Sequence, residues 1–142
     1  MAQKHKKVIF VLRLVMGWVF FYAGYSKIID ADWTAAGYLG NASTFPQLFA
    51  WFADPARIDI VNFLNEWGLL AVGVALLLGA FVRYASYAGI LLMVLYWLPA
   101  LEFPYVGGSF LISHHIVYIA VLVTLTTTHA GKWWGLDKWL RR

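Results

Sequence analysis

The sequence predicts an all-α membrane protein, a four-helix transmembrane bundle with short interfacial or re-entrant helices in its first outer loop. Of its 142 residues, 62% are hydrophobic and 13% are charged, whereas soluble domains average about 25% charged residues. Four apolar runs are long enough to cross a hydrocarbon core about 30 Å thick at about 1.5 Å per residue. Basic residues gather on one side of these runs, as is typical of membrane proteins.

The chain is predicted to form one membrane domain, residues 1–142, because no linker or low-complexity stretch divides it. The spans are expected at about 8–29, 60–82, 84–101 and 110–128. The first run is long and lacks a small-residue cleavage site, so we do not expect a cleavable signal peptide. The third run is short, and its flanking aromatic residues are expected to lie at the membrane interfaces.

Two further segments contain many apolar residues but are not predicted to span the membrane. Residues 33–52 are interrupted by Gly37, Gly40 and Pro46, so we expect two short helices at the outer mouth of the bundle. Residues 130–142 alternate tryptophans with basic residues, a composition typical of an amphipathic tail on an anionic cytoplasmic leaflet.

The distribution of basic residues predicts the orientation, because Lys and Arg are retained on the cytoplasmic side during insertion. Eight fall on one side, namely Lys4, Lys6, Lys7, Arg83, Lys132, Lys138, Arg141 and Arg142. Only Lys27 and Arg57 fall on the other. We therefore expect a multi-pass protein of the cell membrane with both termini cytoplasmic. The basic residues flank apolar runs instead of forming a solvated patch, so the bilayer is the expected partner and nucleic acid is not.

Six side chains in the outer half of the predicted bundle form the first candidate ligand site. They are Lys27, Glu66, Tyr96, His114, His115 and Tyr118. Ionisable groups at membrane depth cost a few kcal/mol, so each needs a partner or a function. We expect Lys27, Glu66 and His115 to approach one another, with Lys27 and Glu66 as a possible ion pair. A hydrogen-bonded clamp between helices, a small-molecule or proton-handling site and a contact with a partner subunit remain open.

A second candidate site lies on one stripe of the first helix and consists of Arg13, Gly17 and Gly24. At about 100° per residue these positions share a face that must meet protein. The glycines allow a neighbouring helix to approach closely. Arg13 either reaches lipid phosphates, forms an internal ion pair, or binds an anionic or quinone head group.

The sequence argues against several cofactors. It contains no cysteine, which excludes a thiol nucleophile, iron–sulfur ligation and Cys-based zinc sites. Three of the four histidines lie on or at the end of the last helix, so no bis-His pair across facing helices is available and no haem is expected. His114 and His115 are adjacent instead of four residues apart, so no metal is expected either. Nucleotide-binding glycine motifs and a GxSxG elbow are also absent from the sequence.

The chain resembles the DoxX/DoxD family of small membrane proteins over nearly its whole length. The resemblance is carried by Arg13, Gly17, Gly24 and Lys27, by Trp33 with 36–39, by Trp67-Gly68 followed by 76–79 and Arg83, and by His115, Tyr118 and 131–137. It implies a four-helix membrane bundle. It also implies a place in a redox or stress-response membrane complex, because some members are subunits of thiosulfate:quinone oxidoreductase.

The resemblance leads us to expect a quinone-linked oxidoreductase subunit that assembles as a homo-oligomer or in a heteromeric membrane complex. A quinone needs an apolar slot and hydrogen-bond donors, which His115 with Tyr118, or Lys27 with Glu66, can supply. Without cysteine, thiosulfate chemistry would depend on ionic binding and a partner subunit. A non-catalytic scaffold is the alternative function. Small-molecule transport ranks lower, because the sequence shows no inverted repeat.

Overall fold

The computed structural model describes residues 2–140, and most of them are helical. The helices are α1 (Gln3–Ile29), α2 (Ala36–Gly40), α3 (Pro46–Ala53), α4 (Ile58–Leu78), α5 (Val82–Ala100), α6 (His114–Thr127) and α7 (Asp137–Leu140), with a 3₁₀ turn at Ala130–Lys132. Three short antiparallel strands join α5 to α6, namely β1 (Leu101–Glu102), β2 (Tyr105–Val106) and β3 (Ser109–Phe110).

The four longer helices pack on one another around a common core. α1 lies along α4, α5 contacts both α4 and α6, and α6 also touches α1. The core side chains come from all four helices and include Phe20, Leu69, Leu76, Met93 and Leu122. This arrangement places the C-terminal ends of α1 and α5 beside the start of α6.

Glycines set the spacing between α1 and α4. A Cβ atom added at Gly17 would lie 2.9 Å from the backbone nitrogen of Leu77. One added at Gly24 would lie 2.5 Å from the backbone nitrogen of Leu70. Only glycine permits such close backbone approach, as is common between membrane helices.

Two helices have the length and apolarity of membrane spans. Among the residues that the structure describes, these are α1 and α4, whose most apolar windows have mean hydropathies of 1.8 and 1.7. One side of α1 remains exposed along its length and carries large apolar side chains, including Val8, Val11, Val15 and Trp18. Such a surface is suited to lipid and not to water. α6 is apolar but shorter.

The segment after α1 folds as two short helices, as its glycine and proline spacing predicts. α2 and α3 share a small core of their own, formed by Ala35, Leu39, Ala42 and Phe49. This pair is tied to α4 by the side chain of Asn62, whose Oδ1 accepts a hydrogen bond from the Ala35 backbone N–H at 2.9 Å.

The last long helix begins later than the sequence predicts, at His114 instead of residue 110. Phe110 pairs with Tyr105 in the antiparallel sheet, and Leu111 has a left-handed backbone with φ 54°. Ser113 is extended and precedes the first turn of α6. The apolar run therefore continues through a strand before it becomes helical, which hydropathy alone does not distinguish.

The tail makes a contact that the sequence did not predict. Its short helix α7 is docked against the protein, because the Asp137 carboxylate accepts hydrogen bonds from the backbone N–H groups of Phe81 (2.6 Å) and Val82 (3.1 Å) at the start of α5. The Asp137 N–H in turn donates to the carbonyl of Gly79 at 2.8 Å. Gly79 ends α4 in a left-handed conformation with φ 69°, which favours glycine. Arg141 and Arg142 lie outside the described residues.

Candidate functional site

A cavity of about 260 Å³ opens between α1, α5 and α6 near the end of α1. Five of the six residues predicted for the first site line it, namely Lys27, Tyr96, His114, His115 and Tyr118. The remaining lining residues are apolar and are Val19, Phe20, Ala23, Leu69 and Met93. Polar side chains from three helices thus meet in an otherwise apolar pocket.

Tyr96 is held in place from three directions. Its hydroxyl donates a hydrogen bond to Oδ1 of Asn65 on α4, at 2.5 Å. Its ring is stacked on His115 with centroids 5.8 Å apart and planes 8° apart. Its backbone carbonyl accepts a hydrogen bond from the Tyr38 hydroxyl. The ring therefore forms a fixed wall of the cavity.

The two histidines at the start of α6 have different surroundings. Nδ1 of His115 lies 3.2 Å from the Ser113 hydroxyl, while its Nε2 has no hydrogen-bond partner among residues 2–140. His114 is more exposed and meets the edge of Tyr118 with centroids 5.6 Å apart. The His115 ring is thus oriented through one nitrogen, which leaves the other for a ligand.

Lys27 does not pair with Glu66. Its Nζ lies 3.4 Å from the carbonyl of Ala23 in its own helix, and 5.3 Å from the centre of the Trp33 ring. The one ion pair within residues 2–140 joins Arg57 to Asp54 in the outer segment. The expected pairing is therefore wrong.

Lys27 and Glu66 nonetheless lie near enough to each other to interact electrostatically. Gly24 brings α1 against the backbone of α4, where an added Cβ would lie 2.8 Å from the Glu66 carbonyl oxygen. Lys27, three residues later, lies on the side of α1 that faces the cavity. Glu66 is partly buried on α4 and does not line that cavity.

Sequence reasoning missed Asn65 and Tyr38, the two side chains that hold Tyr96. Both also line a separate apolar cavity of about 210 Å³ on the other side of Tyr96, beneath α2 and α3. The available signal was an amide within an apolar run, directly before Glu66. Its partner on α5 was not predictable, because that contact depends on the rotation of α4 about its axis.

The second predicted site is occupied by the protein's own tail. Arg13 is 1% exposed. Its Nη1 donates to the carbonyls of Ala130 (2.9 Å) and Trp133 (3.0 Å), and its Nη2 donates to that of Trp134 (3.2 Å). None of the three alternatives drawn from the sequence describes this contact. Gly17 and Gly24 instead contact the backbone of α4.

Acidic and histidine side chains do not cluster as a metal centre does. Within residues 2–140, no group of three or more His, Asp or Glu side chains is close enough to hold one ion. The cavity between α1, α5 and α6 offers an ammonium group, two imidazoles and two phenols.

The fold and the cavity define a helical membrane protein with a polar pocket among its helices. A model of the DoxX family matches residues 8–101, which is well over half of the 142-residue chain, and the protein therefore belongs to the DoxX family. This match confirms the resemblance found in the sequence. Comparisons with curated proteins and with solved structures gave no match.

Proposed function

We propose that this protein is the membrane subunit of a quinone-linked redox complex. We further propose that the cavity between α1, α5 and α6, which we name the outer cavity, binds the quinone head group. The observation that carries the proposal is the convergence of Lys27, Tyr96, His114, His115 and Tyr118 on one cavity of about 260 Å³. Small-molecule sites are largely apolar pockets with a few placed polar groups, and this cavity has that composition.

The cavity fits the chemistry of a quinone. The carbonyl oxygens of a quinone accept hydrogen bonds. The Lys27 ammonium, the Tyr118 hydroxyl and the His115 imidazole are donors. Phe20 and Met93 supply apolar contacts for the ring. Tyr96 is already bonded to Asn65, so its role is to shape the pocket and to hold His115 by stacking.

A bound quinone would accept two electrons and two protons. In this proposal the electrons come from a redox-active partner subunit, because the residues around the cavity carry no electron donor of their own. His115 and Tyr118 hold and pass on protons at Nε2 and at the phenolic oxygen. Lys27 holds the head group through its positive charge.

We further propose that α1, α4, α5 and α6 cross the cell membrane as a four-helix bundle with both termini cytoplasmic. The start of α1, the turn between α4 and α5, and the tail meet at one end, where Arg13 and Asp137 join them. Lys6, Arg83 and Lys132 belong to that same end. This grouping agrees with the retention of basic residues on the cytoplasmic side.

Quinone binding tests the proposal through His115→Ala and Lys27→Met. We expect a short-chain quinone analogue to quench tryptophan fluorescence saturably in the purified protein, since Trp33 lies beside Lys27. Each variant should weaken binding about tenfold, which corresponds to about 1.4 kcal/mol. His5→Ala and Lys7→Met are matched controls on the exposed start of α1, and both should bind as the unmodified protein does.

Saturable binding that is equally tight in the cavity variants and in the controls would place the quinone elsewhere. If the tryptophan fluorescence of the folded protein shows no saturable change, the proposed quinone binding is wrong and a scaffold role is favoured. Co-purification of a soluble redox enzyme from native membranes would support the subunit role in the complex.

Labelling of single cysteines tests the topology, and the cysteine-free sequence provides a clean background. Ser43→Cys, in the outer segment, should react with an impermeant maleimide on intact cells. Lys138→Cys, in the tail, should react only after the cells are opened. Labelling of the tail position on intact cells would refute the proposed orientation.

A further inference from the structure

A cavity of about 680 Å³ lies at the end of the protein opposite to the proposed quinone site. Its walls come from the start of α1, the last residue of α4 and the tail. These parts are held together by the hydrogen bonds of Arg13 and Asp137. The cavity is therefore part of the folded structure.

Positive charge dominates this cavity. Lys6 reaches it from α1, and Lys132 and Lys138 reach it from two parts of the tail. The acidic lining residue within the described chain is Asp137, whose two carboxylate oxygens already accept the N–H groups of Phe81 and Val82. Three ammonium groups are thus opposed by one carboxylate that is already hydrogen-bonded.

The cavity is also lined by aromatic and apolar side chains. Trp133, Trp134 and Trp139 contribute to its walls, and Nζ of Lys6 lies 4.4 Å from the centre of the Trp133 ring. Leu78 and Leu136 line it and are 52% and 46% exposed. Tryptophan and lysine together are typical of the level of lipid head groups.

We propose that this cavity binds the phosphate group of an anionic phospholipid from the cytoplasmic leaflet. Phosphate is the shared chemistry of lipid head groups and soluble phosphate esters, and basic pockets between membrane helices bind such head groups. The exposed leucines favour the lipid, because acyl chains can leave the cavity along Leu78 and Leu136. A soluble phosphate ester has no acyl chain that could make these contacts. The proposal does not depend on quinone binding.

The test removes the charges of the cavity without shortening its side chains severely. The cavity variant combines Lys6→Gln, Lys132→Gln and Lys138→Gln. The control variant combines Lys4→Gln, Lys7→Gln and Arg83→Gln, which removes the same charge from the same end of the protein at positions that do not line the cavity. Circular dichroism and thermal unfolding establish that both variants are folded.

Binding is measured in detergent by native mass spectrometry, with short-chain phosphatidylglycerol, phosphatidylcholine of the same chain length, and glycerol phosphate as probes. We expect the full chain to retain phosphatidylglycerol in preference to phosphatidylcholine. The cavity variant should bind phosphatidylglycerol about tenfold more weakly or worse, whereas the control variant should change less than about twofold.

Three results would overturn the proposal. Equal losses in the two variants would mean general charge attraction instead of a site. Equal retention of phosphatidylglycerol and phosphatidylcholine would mean that the net negative charge of the head group is not recognised. Glycerol phosphate binding as tightly as phosphatidylglycerol would mean a site for soluble phosphate esters and not for lipid.

Discussion

Replacement of Arg13 by methionine is expected to lower the free energy of unfolding by about 3 kcal/mol, because three carbonyl groups lose hydrogen bonds from a buried, charged donor. Methionine keeps the helix propensity and much of the side-chain length. It removes the Arg13 donor from the carbonyls of Trp133 and Trp134 and leaves the carbonyl of Ala130 with the Trp133 N–H at 3.3 Å. A buried group left unsatisfied costs about 1 to 3 kcal/mol.

Equilibrium unfolding in mixed micelles, followed by tryptophan fluorescence, measures this loss. Arg83→Met is the matched control, because Arg83 is exposed near the same end, and its effect should stay within about 0.5 kcal/mol. The backbone N–H groups of Leu136 and Asp137 donate to the end of α4, so they should exchange hydrogen faster in Arg13→Met. If both arginine variants behave alike, the tail is not held by Arg13.

Replacement of Gly73 by alanine is expected to destabilise the protein by about 1 to 3 kcal/mol or more, as overpacking does. The added methyl group would overlap the backbone of Phe21 on α1. A backbone cannot rotate away as a flexible side chain does, so the two helices must separate. The same reasoning applies to Gly24→Ala, whose methyl group would meet the Leu70 backbone.

Gly68→Ala is the control within the same helix, because its nearest neighbour would be a Leu92 methyl group at 3.8 Å, an ordinary contact. Alanine is favoured over glycine in a helix by about 1 kcal/mol, so this variant should be neutral or stabilising. Gly73→Ala is therefore expected to lower the free energy of unfolding in a measurement in which Gly68→Ala leaves it unchanged or raises it. Stabilisation by Gly73→Ala would show that α1 and α4 do not pack as described.

The amino-acid sequence is sufficient to predict the class of the protein and to group several of its polar residues at one end of the helices. The hydropathy runs and the glycine and proline breaks are local properties, and they predicted a mostly helical membrane protein with two short helices after the first. The motif pattern predicted the DoxX family, which the family model confirms. Position along a helix also predicted that Lys27, Tyr96 and His115 lie at similar depth, and one cavity contains all three.

Which of these side chains contact one another depends on the tertiary structure. Lys27 and Glu66 come near each other without forming an ion pair, because the Lys27 ammonium contacts a carbonyl of its own helix and the Trp33 ring instead. Arg13 meets carbonyls more than one hundred residues away along the chain, a contact that no local pattern encodes. Helix rotation and long-range docking follow from how side chains of different helices pack, whereas periodicity within one segment reports only which face is apolar.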